Sequence, residues 1–255
     1  MGDNDPVLPR RTLAGSTVSR LRRHTDARIA LGQAGNGQPT SAVLRFALDH
    51  ARAKDAIRSD LSVADLSRQL ADGDWPLHVT SAASSRDIYL TRPDLGRILS
   101  QAGQDTLADA PRCDLVLAVA DGLSALAVNQ NAVPLIAALR PLLPPNMKVG
   151  LVLVSNGRVA IGDKIAAALG AKAVLILIGE RPGLSASDSL GAYLTWKPSV
   201  DTTDANRFCV SNIRSGGLLP HKAAEQISTL LIRSRKEGRS GVTKALVEPA
   251  NRPCI

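Results

Sequence analysis

LVLVSNGRVAIGDKIAAALGAKAVLILIGERPGLSASDS, residues Leu151 to Ser189, is the stretch that decides the fold. Leu151 to Val154 is a short apolar, β-branched run of the length of a buried strand, and Ser155-Asn156-Gly157 after it is turn chemistry. Ile161 to Leu169 has helical spacing, with Ile161, Ile165, Ala168 and Leu169 on one face. Gly170 stands where a left-handed C-terminal cap belongs. A second apolar run, Ala173 to Ile178, completes a βαβ unit, whose strands should be parallel and whose crossover should be right-handed.

The second run ends in Gly179-Glu180-Arg181-Pro182-Gly183. Ligands of open α/β sheets collect outside the carboxyl ends of the strands. Gly179 and Gly183 allow close approach to the backbone, Glu180 puts a carboxylate at that mouth, and Ser185, Ser187 and Ser189 add hydroxyls. The same residues also read as a tight turn with a solvated Glu-Arg pair, since fold alone does not fix function.

Working outward, Asp114 to Val119 is another buried strand, ending in Ala120-Asp121-Gly122-Leu123-Ser124 with the same carboxylate, glycine and hydroxyl. Asn129 and Asn131 precede an apolar helix expected over Val133 to Leu143. Ala192 to Trp196 and Phe208 to Ser211 read as further strands, and Ser215-Gly216-Gly217 as a turn. Pro220 opens a last helix with Ala224, Ile227, Leu230 and Leu231 on one face. Upstream, residues 1–19 read as a flexible arm and 20–105 as a helical section. That section holds LRRHTDARIAL stopped by Gly32, a helix with Val43, Leu44, Ala47, Leu48, Ala51 and Ile57 as its apolar face, and a helix begun by Arg92-Pro93-Asp94. Leu77 to Val79 and Asp87 to Leu90 are expected as short extended pieces. Residues 106–241 form the α/β domain, and 242–255 a loose tail. The fold class is therefore α/β: a mostly parallel sheet with flanking helices, Rossmann-like, plus a helical N-terminal section.

The 255 residues carry a net charge of +8, and 44% are hydrophobic but only 2% aromatic, so the core is aliphatic and base-stacking platforms are scarce. The cations are scattered. The densest group, Arg233, Arg235 and Lys236, suits a helix C-terminus before Gly238. Nucleic acid is thus not expected as a partner. Cys113, Cys209 and Cys254 are odd in number and far apart, as in a reducing compartment. No signal peptide or membrane-length apolar run occurs. The chain lacks GxGxxG, GxxxxGK[ST] and HExxH; Gly32, Gly35 and Gly37 fall as GxxGxG with no strand before them. His24, His50, His78 and His221 stand apart from any nucleophile motif. No acid–base constellation or metal-ligand set is evident, so the residues describe a binding module or a partner subunit.

LRRHTDARIALGQAG, LRFALDHARAKDAI, YLTRPDLGR, ADGLSALAV, GRVAIGDKIAAALGAKAVLILIGERPGL and CVSNIRSGG, in that order over about residues 20–241, resemble the small subunit of ethanolamine ammonia-lyase. The resemblance implies a cobalamin-binding-like fold and an adenosylcobalamin-dependent lyase that converts ethanolamine to acetaldehyde and ammonia by radical chemistry. It implies a large subunit that holds the substrate, six copies of each, with this chain covering the cobalamin at the interface. Matching positions carry the family's cobalamin contacts: Val159 after Gly157-Arg158, Glu180 in GERPG, and Cys209 in the Phe208-Cys-Val-Ser-Asn segment. Arg158, Ser211 and Asn212 are their neighbours. Val159 offers apolar contact to the corrin, Glu180 accepts hydrogen bonds from corrin amides, and Cys209 is a small packing contact.

No DxHxxG segment occurs, so the resemblance implies a base-on cofactor, with dimethylbenzimidazole under the cobalt. The compartment implied is the cytoplasm or a bacterial microcompartment; some relatives carry a longer N-terminal extension that directs them into the latter, and here a short arm precedes Arg20. A stand-alone α/β enzyme and a basic nucleic-acid-binding module are the competing readings. The first predicts turnover without a partner, and the second a steep salt dependence of binding.

Overall fold

The computed structural model describes residues 20–21, 24–25, 27–29, 31–71 and 76–241. The expected arm and tail lie outside them. The chain divides into two compact units, residues 1–51 and 52–255.

In the first unit the described residues between His24 and Gly32 are not helical, contrary to expectation. Gly32 takes a left-handed φ of 85°, and Ala34 and Gly37 bridge across a tight turn. Helix α1, Thr40–Arg58, begins after it. Its expected apolar face faces solvent: Val43, Leu44 and Leu48 are exposed, and the buried residues of this helix are Ala53 and Ala56.

The second unit is α/β. Its helices are α2 (Val63–Leu70), α3 (Arg86–Thr91), α4 (Gln101–Ala108), α5 (Ala125–Leu139), α6 (Ile161–Ala168) and α7 (Pro220–Glu237). Its strands are β1 (Leu77–Thr80), β2 (Leu115–Ala120), β3 (Val149–Ser155), β4 (Ala173–Gly179), β5 (Leu190–Trp196) and β6 (Arg207–Ile213). They form one mixed sheet in the order β1-β3-β2-β4-β5-β6. Pairs β1/β3, β3/β2 and β2/β4 are parallel, and β4/β5 and β5/β6 antiparallel. The expected βαβ unit is present as β3-α6-β4, but its strands are not neighbours. Strand β2 lies between them, so α6 crosses it.

Other expectations are corrected locally. Asp87 to Leu90 is helical, because Ser85 caps α3 by accepting the Ile88 N–H. Arg92-Pro93-Asp94 leads only into a single 3-10 turn, Leu95–Arg97. Asn129 and Asn131 lie inside α5, which Ser124 caps and which tolerates Pro134. Ala168 is exposed, while Gly162, Asp163 and Ala166 are the residues α6 buries besides Ile161 and Ile165. Gly170 does end that helix with a φ of 63°. The expected helical section also contributes β1 to the sheet.

Strand alternation sorts the core into two layers. Leu115, Leu117, Val119, Leu175, Leu177, Ala192 and Leu194 point to one face, covered by α5 and α7. Val116, Ala118, Val152, Val154, Val174, Ile176 and Ile178 point to the other, covered by Leu107 of α4 and by Ile161, Ile165 and Leu169 around α6. On that second face the apolar layer stops at β4. Only Tyr193 of β5 joins it, and no residue of β6 does.

Candidate functional site

The second face over β5 and β6 is where chemistry gathers. Beside α6 it is closed by a buried ion pair: Arg207 donates to Asp163 of α6 at 2.6 and 2.8 Å and to Thr195 Oγ1 at 2.8 Å. Beyond that pair Gly191, Tyr193 and Cys209 follow toward the carboxyl end of β4. Tyr193 and Cys209 are register partners. The Tyr193 phenol and the Cys209 thiol lie close enough to act on each other's ionisation. Tyr193 is half-buried and Cys209 exposed.

Glu180 completes the group. Its backbone N–H donates to Ser189 O, where β5 begins. Its Oε2 accepts from Ser189 Oγ at 2.5 Å and from the Asn212 N–H at 3.3 Å, which ties the end of β4 to the start of β5 and the end of β6. Its Oε1 accepts no hydrogen bond from the described residues. A Cβ on Gly191 would stand 3.0 Å from that oxygen and 3.1 Å from Tyr193 Cε2. The missing side chain is what leaves space between carboxylate and phenol. Burial, first, and then Glu180's negative charge push the Cys209 thiol up, partly offset by the neighbouring Tyr193 phenol. Tyr193 is pushed well above the usual phenol range, by burial foremost. Both groups therefore stay protonated near neutral pH.

Val159 sits in the loop from β3 into α6 and packs against the second-face core, as Tyr193 does. The structure thus brings Glu180 and Cys209 together through Tyr193. Val159 lies on the same face of the sheet, with no hydrogen bond joining it to them. Of the expected neighbours, Ser211 and Asn212 are exposed, Asn212 with a left-handed φ of 57°. Arg158 turns away: its guanidinium stacks 4.3 Å over the Tyr89 ring and donates to Tyr89 O.

The Val159 loop rests on a polar network that the sequence did not announce. Asp121, buried at the end of β2, accepts the Asn156 N–H on Oδ2 at 2.8 Å and the Gly157 N–H on Oδ1 at 3.1 Å. Burial pushes its carboxyl up; these N–H bonds and Arg86 pull it back. Arg86 also donates to Gly122 O and Ile57 O. Asp121, whose strand-end loop has the same carboxylate, glycine and hydroxyl as that of Glu180, is therefore turned inward.

Residues missed by sequence reading include Tyr193, whose signal was present: one of only two tyrosines in a chain nearly free of aromatics, set in a strand beside the Glu180 loop. A second is the pair His78 Nε2 and Ser155 Oγ, 2.9 Å apart on neighbouring strands. Burial lowers the His78 pKa, but among the described residues no carboxylate orients its ring. No three His, Cys, Asp or Glu side chains gather among the described residues so as to hold a metal ion. No helix there is long and apolar enough to cross a membrane.

Residues 16–244 match the family model described as ethanolamine ammonia-lyase light chain (EutC). The chain is 50% identical over 237 residues to the ethanolamine ammonia-lyase small subunit of Bradyrhizobium diazoefficiens, covering 89% of this chain and 88% of the relative. It is 45% identical over 252 residues to that of Ralstonia nicotianae, covering 96% and 93%. It is 46% identical over 236 residues to that of Pseudomonas syringae pv. tomato, covering 88% and 80%. On a match of that extent, the chain belongs to the ethanolamine ammonia-lyase small-subunit family.

Proposed function

We propose that this chain covers adenosylcobalamin at its interface with a large subunit that holds ethanolamine, and that the assembly, six copies of each, releases acetaldehyde and ammonia. The observation that carries the reading is the face of β5 and β6 that no apolar layer of the described residues covers beyond α6, with Glu180, Tyr193 and Cys209 toward the carboxyl end of β4 and a glycine between them.

The residues suit the corrin periphery. Glu180 Oε1 is an acceptor with no hydrogen-bond partner among the described residues, and corrin side chains present neutral amide N–H donors. The bonds from Ser189 and Asn212 fix the carboxylate beforehand, so little side-chain entropy is lost on binding. Tyr193 and Cys209, held protonated, put no thiolate or phenolate beside the cofactor. Cys209 packs as a small soft group, and Val159 gives apolar contact from the loop before α6. When bound, adenosylcobalamin supplies the radical that takes hydrogen from the substrate. This chain's residues bind, orient and exclude water.

The test is expression with and without the large subunit of the same operon, followed by ethanolamine-dependent acetaldehyde formation and cobalamin titration. Activity is expected only in the mixture. Glu180→Gln keeps shape but weakens the charge-assisted acceptor, and should raise the KM for adenosylcobalamin about tenfold. Turnover by this chain alone, or a folded complex in which Glu180→Gln leaves cobalamin binding unaltered, would refute the reading.

A further inference from the structure

Beneath the Val159 loop, the backbone groups of three consecutive residues are fixed by side chains or backbone from three other segments. Asp121 takes the N–H groups of Asn156 and Gly157, one on each carboxylate oxygen. Buried Tyr89 donates its hydroxyl to Gly157 O at 3.1 Å. The Arg158 N–H donates to Gly96 O at 2.8 Å. The Asn156 side chain, on a residue with a left-handed φ of 57°, donates to Ala83 O. A Cβ on Gly157 would stand 2.8 Å from Val154 Cγ1 and 3.2 Å from Ala120 Cβ. Arg86 and Arg158 stack against Tyr89 at 4.8 and 4.3 Å, and Arg86 Nη1 lies 3.4 Å from Asp121 Oδ2.

Such a network is more than a turn needs. A left-handed asparagine is strained and persists only where its surroundings over-determine it. Two strand ends, β2 and β3, are clamped to each other by one carboxylate, and the next side chain out of the clamp is Val159. Resting on the cofactor reading above, we propose that Asp121 is a positioning residue: its carboxylate fixes the backbone of residues 156–158 and so sets the place of Val159 against cobalamin. Asp121 touches no cofactor. It acts by removing freedom from the loop before binding, which would otherwise be lost on binding.

The experiment uses the complex with the large subunit and three variants of this chain: Asp121→Asn, Tyr89→Phe and Glu180→Gln. Asp121→Asn turns one acceptor into an N–H2 facing a backbone N–H. It should weaken hydroxocobalamin binding about tenfold in absorption titrations. It should raise the KM for adenosylcobalamin equally, with kcat at saturating cofactor within about twofold of the parent. Amide exchange at Asn156 and Gly157 should rise about tenfold, while amides of β4 keep their protection. If Glu180→Gln weakens cobalamin binding and Asp121→Asn does not, the positioning role is wrong and the cofactor site stands. If neither variant weakens it, the cofactor reading has failed and takes this inference with it. Should Asp121→Asn fail to assemble, Tyr89→Phe decides: about threefold weaker binding supports the role, and unchanged binding overturns it.

Discussion

Asp163→Ala probes the ion pair that closes the open sheet face on the α6 side. The Arg207 and Asp163 side chains are 3% and 8% exposed, so water neither screens the pair nor replaces a lost partner. The substitution deletes two bonds, at 2.6 and 2.8 Å. Arg207 keeps Thr195 at 2.8 Å and Asp204 at 3.3 Å. Removing one member of a buried pair costs about 3–5 kcal/mol, because the other charge is left stranded. Asp204 is a nearly free surface carboxylate and can move closer, which favours the lower end, about 3 kcal/mol. Alanine's better helix propensity, about half a kcal/mol, is offset by loss of an acidic group from the first turn of α6. For a unit of this size that is a fall in melting temperature of about 6–12 °C. The measurement is urea and thermal unfolding of the purified chain by circular dichroism, repeated at 0.5 M salt, where a buried pair should behave the same. Asp163→Leu with Arg207→Met should restore stability to within about 1 kcal/mol of the parent. A single-variant loss below about 1 kcal/mol, or a double variant as unstable as the single one, would refute the stranded-charge account.

Gly122→Ala should destabilise the chain by about 2 kcal/mol or more, seen in the same unfolding curves. The residue has a φ of 57°, and its Cβ would press on Gly179 O, which already accepts the Leu123 N–H; a neutral result would show that the β2 and β4 ends can separate freely. Cys209 should alkylate more slowly at pH 8 than an unhindered thiol, because both burial and Glu180 raise its pKa. Glu180→Gln removes one of those causes, so the thiolate fraction rises and Cys209 alkylation, resolved by peptide mapping, should quicken about threefold. A slower or unchanged rate would mean that Glu180 does not act on the thiol.

The two sheet-building runs around α6 and the strand before Asp121 were legible because continuous apolar, β-branched segments bounded by turn residues leave few alternatives. Glycines 122, 170 and 238 mark their turns for the same local reason: each adopts a left-handed φ. The short piece Asp87–Leu90 misled, since four residues carry too little periodicity to tell part of a capped helix from a strand. The face of α1 misled differently. Val43, Leu44 and Leu48 have helical spacing, but spacing says only that a stripe exists, not that anything within the chain covers it. For Asp121 and Glu180 the local sequence is alike, a carboxylate beside a glycine at a strand end. One turns inward to hold another loop and the other faces the open sheet, a difference set by neighbours that are remote in sequence.

By itself the sequence determined the α/β class, the strand-end placement of Glu180 and, through its motif order, the resemblance to the small-subunit family. Those properties reside in short contiguous segments, where propensity, turn chemistry and spacing act within a few residues. The tertiary structure alone decided that β2 lies between β3 and β4, and that β5 and β6 pair antiparallel with one face outside the apolar layer among the described residues. It alone brought Tyr193 between Glu180 and Cys209 and made Asp121 a clamp. Strand order and side-chain partnership are set by burial of the whole aliphatic core and by satisfaction of buried polar groups. Both are sums over residues far apart in the chain, so no single segment carries them.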